Sequence, residues 1–300
     1  MKNMINELIA LQSKIRQHAN SESENDFVVS DALFFMPQGN LFDVIYRGFG
    51  YDFPNRSLDE IQNSYSGYYA FASVLDFLSR AEIAARIRSL TFDGDDEGAN
   101  GTKTWCFNRL IESGVTFPNL TFFKVQLTRP GDHNTNIIEE RPGSFEEGGR
   151  IAQLIAKMPV LRCLEVPSAP DRSFFEMGPL PLNSLTVQAG YDHQNFIDNM
   201  AESDCFPNLQ ALNYSDYMHV FSDMAGKETQ FSSYKNFFES KMISEKPGFH
   251  FTLQYSILTR QQLSALMSIE DNWNKKKKEV QFLHIDVHPT EYIEPNPYWH

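Results

Sequence analysis

The sequence has few cysteines, no long apolar run and no familiar catalytic motif. Its three cysteines, Cys106, Cys163 and Cys205, are odd in number and far apart, which excludes a disulfide framework and a close-spaced zinc knuckle. No segment reaches the roughly 20 apolar residues that span a bilayer, and the N-terminal stretch lacks the apolar core of a signal peptide. Nucleophile elbow, phosphate-binding loop, helical zinc motif and dinucleotide fingerprint are missing as well. We therefore expect a cytoplasmic protein with reduced thiols, no cofactor and no catalytic role.

Basic residues are scarce relative to acidic ones. The chain carries 26 Lys and Arg against 39 Asp and Glu, a formal net charge of −13. Because this charge repels phosphate backbones and anionic lipid, we expect neither nucleic acid nor a membrane surface as a partner. The expected partner is a protein, and the charge favours a basic one, whereas the oligomeric state is not predicted. The lysine run 275–278 is interpreted as a solvated loop before a strand.

The first 79 residues predict a cap made of helices and one hairpin. Apolar residues recur at helical spacing until the polar run that begins at His18, which should end the helix; they are Met4, Leu8, Leu11 and Ile15. Segments 27–36 and 41–49 are rich in β-branched and aromatic residues and flank a Pro-Gln-Gly-Asn turn at 37–40. We expect this cap, residues 1–79, to cover one end of a larger core.

Between residues 80 and 290 one short pattern recurs seven times. Its segments begin at Ile87, Leu120, Leu161, Leu182, Leu209, Gly248 and Val280. In each segment the fourth and sixth positions are apolar or aromatic and the fifth is polar, so alternate side chains should face the core and the solvent. Helix-period segments lie between them, one of which starts at the capping box formed by Thr259 and Gln262. Strand followed by helix is the predicted repeat, and residues 291–300 form a tail.

Two segments that lead into predicted strands carry a family resemblance. Phe117–Val125 and Phe206–Leu212 resemble the helix-end-to-strand portion of leucine-rich repeats, and the chain is similar to bacterial leucine-rich-repeat proteins with few, irregular repeats. The resemblance implies an α/β fold, an irregular leucine-rich-repeat-like solenoid of alternating strands and helices with an N-terminal helix and hairpin cap. A compact α/β domain with a conventional parallel sheet is the alternative fold.

Stacked strands would line one surface with their third, fifth and seventh positions. The predicted binding residues on this surface are Phe122, Lys124, Cys163, Glu165, Thr186, Asn213, His250, Thr252, Phe282 and His284. Aligning the segments by their pattern places His284 beside Thr252 and Phe282 beside His250. Phe122 beside Cys163 would anchor a partner if exposed, and the alternative is that the insertion 128–149 folds over both. We therefore predict a noncatalytic protein-interaction module.

The last predicted strand also contains potential metal ligands. His284, Asp286 and His288 alternate along one face, and residues two apart on a strand can chelate one ion. His250 and Gln254 on the preceding strand would add contacts if the register allows. The alternative function is therefore a metal-dependent enzyme or metal-binding protein that uses this strand, although the polar outer face of a terminal strand produces the same pattern.

Overall fold

The architecture is mixed α/β, and most neighbouring strands are parallel. It was obtained as a computed structural model. The residues that it describes are 2–23, 32–53, 55–94, 102–129, 132, 134–137, 147–190, 192–216, 228–246, 248–277 and 283–288. The chain divides into two compact units, one made of Met1–Gln126 with His133–Leu161 and the other of Leu127–Asp132 with Arg162–His300. Within the described ranges, no helix combines the length and the apolar character needed to cross a membrane.

The first unit combines a four-stranded sheet, a separate strand pair and several helices. Its elements are α1 (Lys2–Ser23), β1 (Ala32–Gln38), β2 (Leu41–Arg47), α2 (Leu58–Ser64), a 3₁₀ turn (Ser66–Tyr68), α3 (Tyr69–Leu78), α4 (Ala81–Ala84), β3 (Ile87–Asp93), β4 (Thr102–Trp105), α5 (Asn108–Glu112), β5 (Phe122–Val125), β6 (Asn134–Ile137) and α6 (Arg150–Ile155). β1 pairs antiparallel with β2, and β2, β3 and β5 follow in parallel. The parallel pair β4–β6, which involves part of the long insertion, was not predicted.

The predicted N-terminal helix and hairpin are present, but with different ends. Helix α1 continues through His18 to Ser23 because His18 is buried, with its ring 4.9 Å from that of Tyr69. The predicted four-residue turn is wrong, since Pro37 and Gln38 are paired in β1 and only two residues connect the strands. Gly39 in that turn has a φ of 65°, as a tight two-residue hairpin turn requires. Proline is tolerated here because β1 is an edge strand.

The second unit alternates strands and helices. Its elements are β7 (Cys163–Val166), α7 (Arg172–Phe175), β8 (Ser184–Gln188), α8 (Phe196–Glu202), β9 (Ala211–Ser215), α9 (Phe231–Glu239), α10 (Lys241–Ser244), β10 (Phe249–Gln254), α11 (Arg260–Lys277) and β11 (Leu283–His288). These strands are adjacent in chain order, and each is parallel to the next. Several start later than predicted because Leu161 and Leu209 belong to turns, where their amides donate to the carbonyls of Met158 and Phe206.

The two sides of the second unit's sheet differ as the alternation predicts. One side is buried and consists of Leu164, Leu185, Leu212, Phe251 and Ile285 with the residues two positions on in β7 to β10, whereas Val287 at the end of β11 is half-buried. Helices cover that side: Phe196 of α8 stacks on Tyr214 at 5.4 Å, and Phe238 of α9 meets Phe251 edge-on at 5.1 Å. The expectation that Leu164 and Leu185 are buried neighbours while Cys163 and Ser184 are not is confirmed.

Helix α11 binds the outer edge of β11. Asn274 accepts from the Leu283 amide at 2.8 Å and donates to the Leu283 carbonyl at 3.0 Å, while Glu270, one turn earlier, accepts from the Ile285 amide at 3.1 Å. Side chains thus satisfy backbone groups that an edge strand would otherwise leave unpaired. The predicted solvated lysine loop is wrong for residues 275–277, which form the last turn of α11, where positive charge suits the helix dipole.

Candidate functional site

Two rows of side chains cross the five strands of the second unit on the side opposite the helices. The first row is Cys163, Ser184, Ala211, His250 and His284, and the second is Glu165, Thr186, Asn213, Thr252 and Asp286. We call these ten residues the strand face. All of them are exposed or half-buried, although the residues between them in each strand are buried. Because neighbouring strands lie about 4.8 Å apart, the side chains in each row are in contact range.

The strand face contains most of the predicted binding residues. Seven of the ten lie on it: Cys163, Glu165, Thr186, Asn213, His250, Thr252 and His284. Phe122 and Lys124 lie instead on β5 of the first unit, where both are half-buried. Phe282 is outside the described residues. The sequence pattern therefore identified one continuous surface in the second unit.

The insertion after β5 covers the end of β8 that follows the strand face. The Thr128 amide donates to Gln188 Oε1 at 2.7 Å, and Gln188 Nε2 donates to the Thr128 carbonyl at 3.2 Å. These bonds bury Gln188, and Ser215 beside it in β9 is buried as well. On the strand face, β8 and β9 therefore have two accessible residues each, Ser184 and Thr186 in β8 and Ala211 and Asn213 in β9.

The strand face is polar and carries acidic groups but no lysine or arginine at its ten positions. Asn213 Nδ2 donates to Thr186 Oγ1 at 3.1 Å, which joins neighbouring strands. Glu165 and Asp286 provide the carboxylates. Burial raises the pKa of the Cys163 thiol, and the charge of Glu165 raises it further. Because the thiolate is the reactive form, this cysteine is not set up as a nucleophile.

Two histidines and an aspartate meet at the β10–β11 end of the strand face. His250 and His284 are register partners, and their rings lie 4.7 Å apart, nearly perpendicular. Asp286 lies between them, with Oδ2 3.0 Å from His250 Nε2 and Oδ1 3.2 Å from His284 Nε2. One nitrogen or oxygen from each residue falls within 4.8 Å of the other two. We call these three residues the histidine–aspartate cluster.

Glu270 of α11 contacts the ring nitrogen of His284 that does not face Asp286. Its Oε1 lies 3.4 Å from His284 Nδ1, on the opposite side of the ring from Asp286. Its Oε2 accepts from the Ile285 amide, and its side chain is 17% exposed against 42% for His284. The imidazole of His284 is thereby held between two carboxylates, and Glu270 is held by the backbone of β11.

The predicted metal ligands are only partly brought together. His284 and Asp286 belong to the cluster, and the third member is His250, which was expected to add a contact if the register allowed. For His288 the structure gives a backbone pairing with Gln254, and its side chain is outside the described residues. The predicted pairing of His284 with Thr252 is wrong, because β11 is shifted by two residues so that His284 lies beside His250. Glu270 was not predicted, since its role comes from the packing of α11 against β11.

Comparison with known proteins identifies no family for this chain. No protein-family model matches it, and no curated protein is significantly similar to it. The function must therefore be inferred from the strand face and its cluster.

Proposed function

We propose that the chain is a noncatalytic protein-interaction module that presents the strand face of the second unit to a protein partner. The observation that carries this proposal is the alignment of ten exposed or half-buried side chains in two rows across five parallel strands. Rigid strands hold these groups in place before binding, which lowers the entropy that association must overcome. An extended, ordered, polar surface of this kind suits a macromolecular partner better than a small molecule, which needs a concave site.

We further propose that the second unit is a leucine-rich-repeat-like solenoid. Parallel sheets in compact α/β domains are covered by helices on both faces, and their strands are apolar on both sides. Here one side carries Leu164, Leu185 and Leu212 beneath helices, while the other carries serine, threonine and asparagine. The simple order of the strands along the chain supports stacked repeats as well.

A basic partner is favoured by the charge of the strand face. Glu165 and Asp286 are acidic, no lysine or arginine occupies its ten positions, and the whole chain has a formal charge of −13. Complementary charge accelerates association and selects partners, and salt screens it over about 8–10 Å near physiological ionic strength. Binding should therefore weaken as salt is raised.

The test compares two charge reversals of equal size. Immobilised full-length protein should retain a basic protein partner at low salt, and Glu165→Lys on the strand face should abolish that retention. Glu202→Lys is the matched control, because Glu202 is exposed in α8 on the helical side. Retention that both variants lose to the same extent, or no retained partner with wild-type protein, would contradict the proposal.

A further inference from the structure

We propose that the histidine–aspartate cluster binds one zinc ion, through Nε2 of His250, Nε2 of His284 and the carboxylate of Asp286. The zinc site lies within the strand face and shares Asp286 with the proposed partner surface, but it depends on different observations, namely the convergence of three ligand atoms and the contact from Glu270. The three ligands project from adjacent, directly paired strands, and their donor atoms converge within 4.8 Å. Sites built on strands are held more precisely than sites on loops.

Two of the distances between donors are close to those of a zinc site. Zinc bonds of about 2.0–2.1 Å in a tetrahedral arrangement place ligand atoms about 3.3 Å apart. The two observed nitrogen–oxygen distances are 3.0 and 3.2 Å. These distances go to different oxygens of Asp286, so an ion held by all three residues would replace the direct contacts between histidine and aspartate and draw the donor atoms together around it.

Glu270 points to a metal independently of the cluster. Metal-binding histidines usually donate the proton of the other ring nitrogen to a carboxylate, which fixes the tautomer and leaves the binding nitrogen unprotonated. Glu270 Oε1 lies 3.4 Å from His284 Nδ1 and can accept that proton, so that Nε2 can bind an ion that replaces its contact with Asp286. The Ile285 amide fixes the other oxygen of Glu270, so this carboxylate is a positioning group.

The donor set selects the class of ion. Two imidazoles and one carboxylate suit zinc and similar transition ions, whereas calcium and magnesium prefer oxygen ligands alone. The side chains of His250, His284 and Asp286 are 47%, 42% and 45% exposed, so a fourth ligand can reach the ion from solvent. The site is thus of the open type, with three protein ligands.

The experiment measures zinc uptake by full-length protein from which any histidine tag has been removed. After chelator treatment, the protein is titrated with zinc against a chromophoric competitor, and cobalt is added separately to record the visible spectrum of a nitrogen–oxygen site. We expect one equivalent to bind in the micromolar range or tighter. Asp286→Asn and His250→Gln should each weaken binding at least about 100-fold, and Glu270→Gln about 10–100-fold.

The control for the titration is another histidine of the second unit. His193 lies before α8, away from the strand face, and its Nδ1 accepts from the Asn195 amide. His193→Gln should leave zinc binding unchanged. Circular dichroism and urea titration establish that each variant is folded, and because His250 and Asp286 are separate tests, failure of one to fold leaves the other decisive. No stoichiometric uptake by wild-type protein, or equal uptake by wild type and Asp286→Asn, would overturn the zinc site.

Discussion

Leu185 and Ser184 are neighbours in β8 that test the difference between the two sides of the sheet. Leu185 is 0% exposed and lies in register between Leu164 and Leu212, in the middle strand of β7–β9. Truncating a buried leucine to alanine costs about 2–5 kcal/mol through lost transfer energy and a residual cavity. Neighbouring strands restrict collapse around this site, so we expect Leu185→Ala to fall in the upper half of that range. Ser184→Ala, on the strand face, should change stability by less than about 0.5 kcal/mol.

The assay is urea unfolding followed by far-ultraviolet circular dichroism. With an m value of about 3 kcal/mol/M, a loss of about 4 kcal/mol lowers the urea midpoint by about 1.3 M. Leu164→Ala and Cys163→Ser in β7 form a second pair and should behave in the same way, because their register partners are Leu185 and Ser184. Similar destabilisation at both positions of each pair would refute the reasoning, since it would mean that the strand face is buried like the other side.

Two further predictions concern contacts that the sequence did not reveal. Arg109 lies 3.1 Å from the buried Asp52, whose pKa is raised by burial against the opposing effect of Arg109. A carboxyl group whose pKa is raised by folding favours the folded state at pH values below its pKa in the unfolded chain, and this contribution is lost as pH rises. Without Arg109 the ionised Asp52 would be buried without its partner, so Arg109→Ala should cost about 3–5 kcal/mol at pH 7 and much less near pH 4, where Asp52 can be protonated. Equal shifts of the urea midpoint at both pH values would contradict this prediction. Asn274→Ala should cost about 1–2 kcal/mol and speed hydrogen exchange at the Leu283 amide, whereas the exposed Asn272→Ala in the same helix should do neither.

The parts of the fold that could be predicted depend on short-range patterns. Strand alternation separated Leu164 from Cys163 correctly, and the capping box at Thr259 and Gln262 is present, with each residue's amide donating to the other's side chain. The parallel pair β4–β6 could not be predicted, because it joins segments about 30 residues apart whose sequences show no strong strand pattern. Likewise, nothing local indicates that His18 is buried, since the aromatic ring that covers it comes from α3.

The sequence by itself determined which side chains in each strand of the second unit lie on the strand face. Successive side chains of a strand point to opposite sides, so the alternation of polar and apolar residues along the sequence is sufficient to assign them. Only the tertiary structure decided which of these side chains meet. Sliding a strand by one residue would exchange its two faces, but sliding it by two preserves them, so the hydrophobic pattern cannot choose between registers two residues apart. Contacts from Asn274 and Glu270 of α11 to β11 accompany the observed register. That register, rather than any motif, brings His250 to His284 and Asp286.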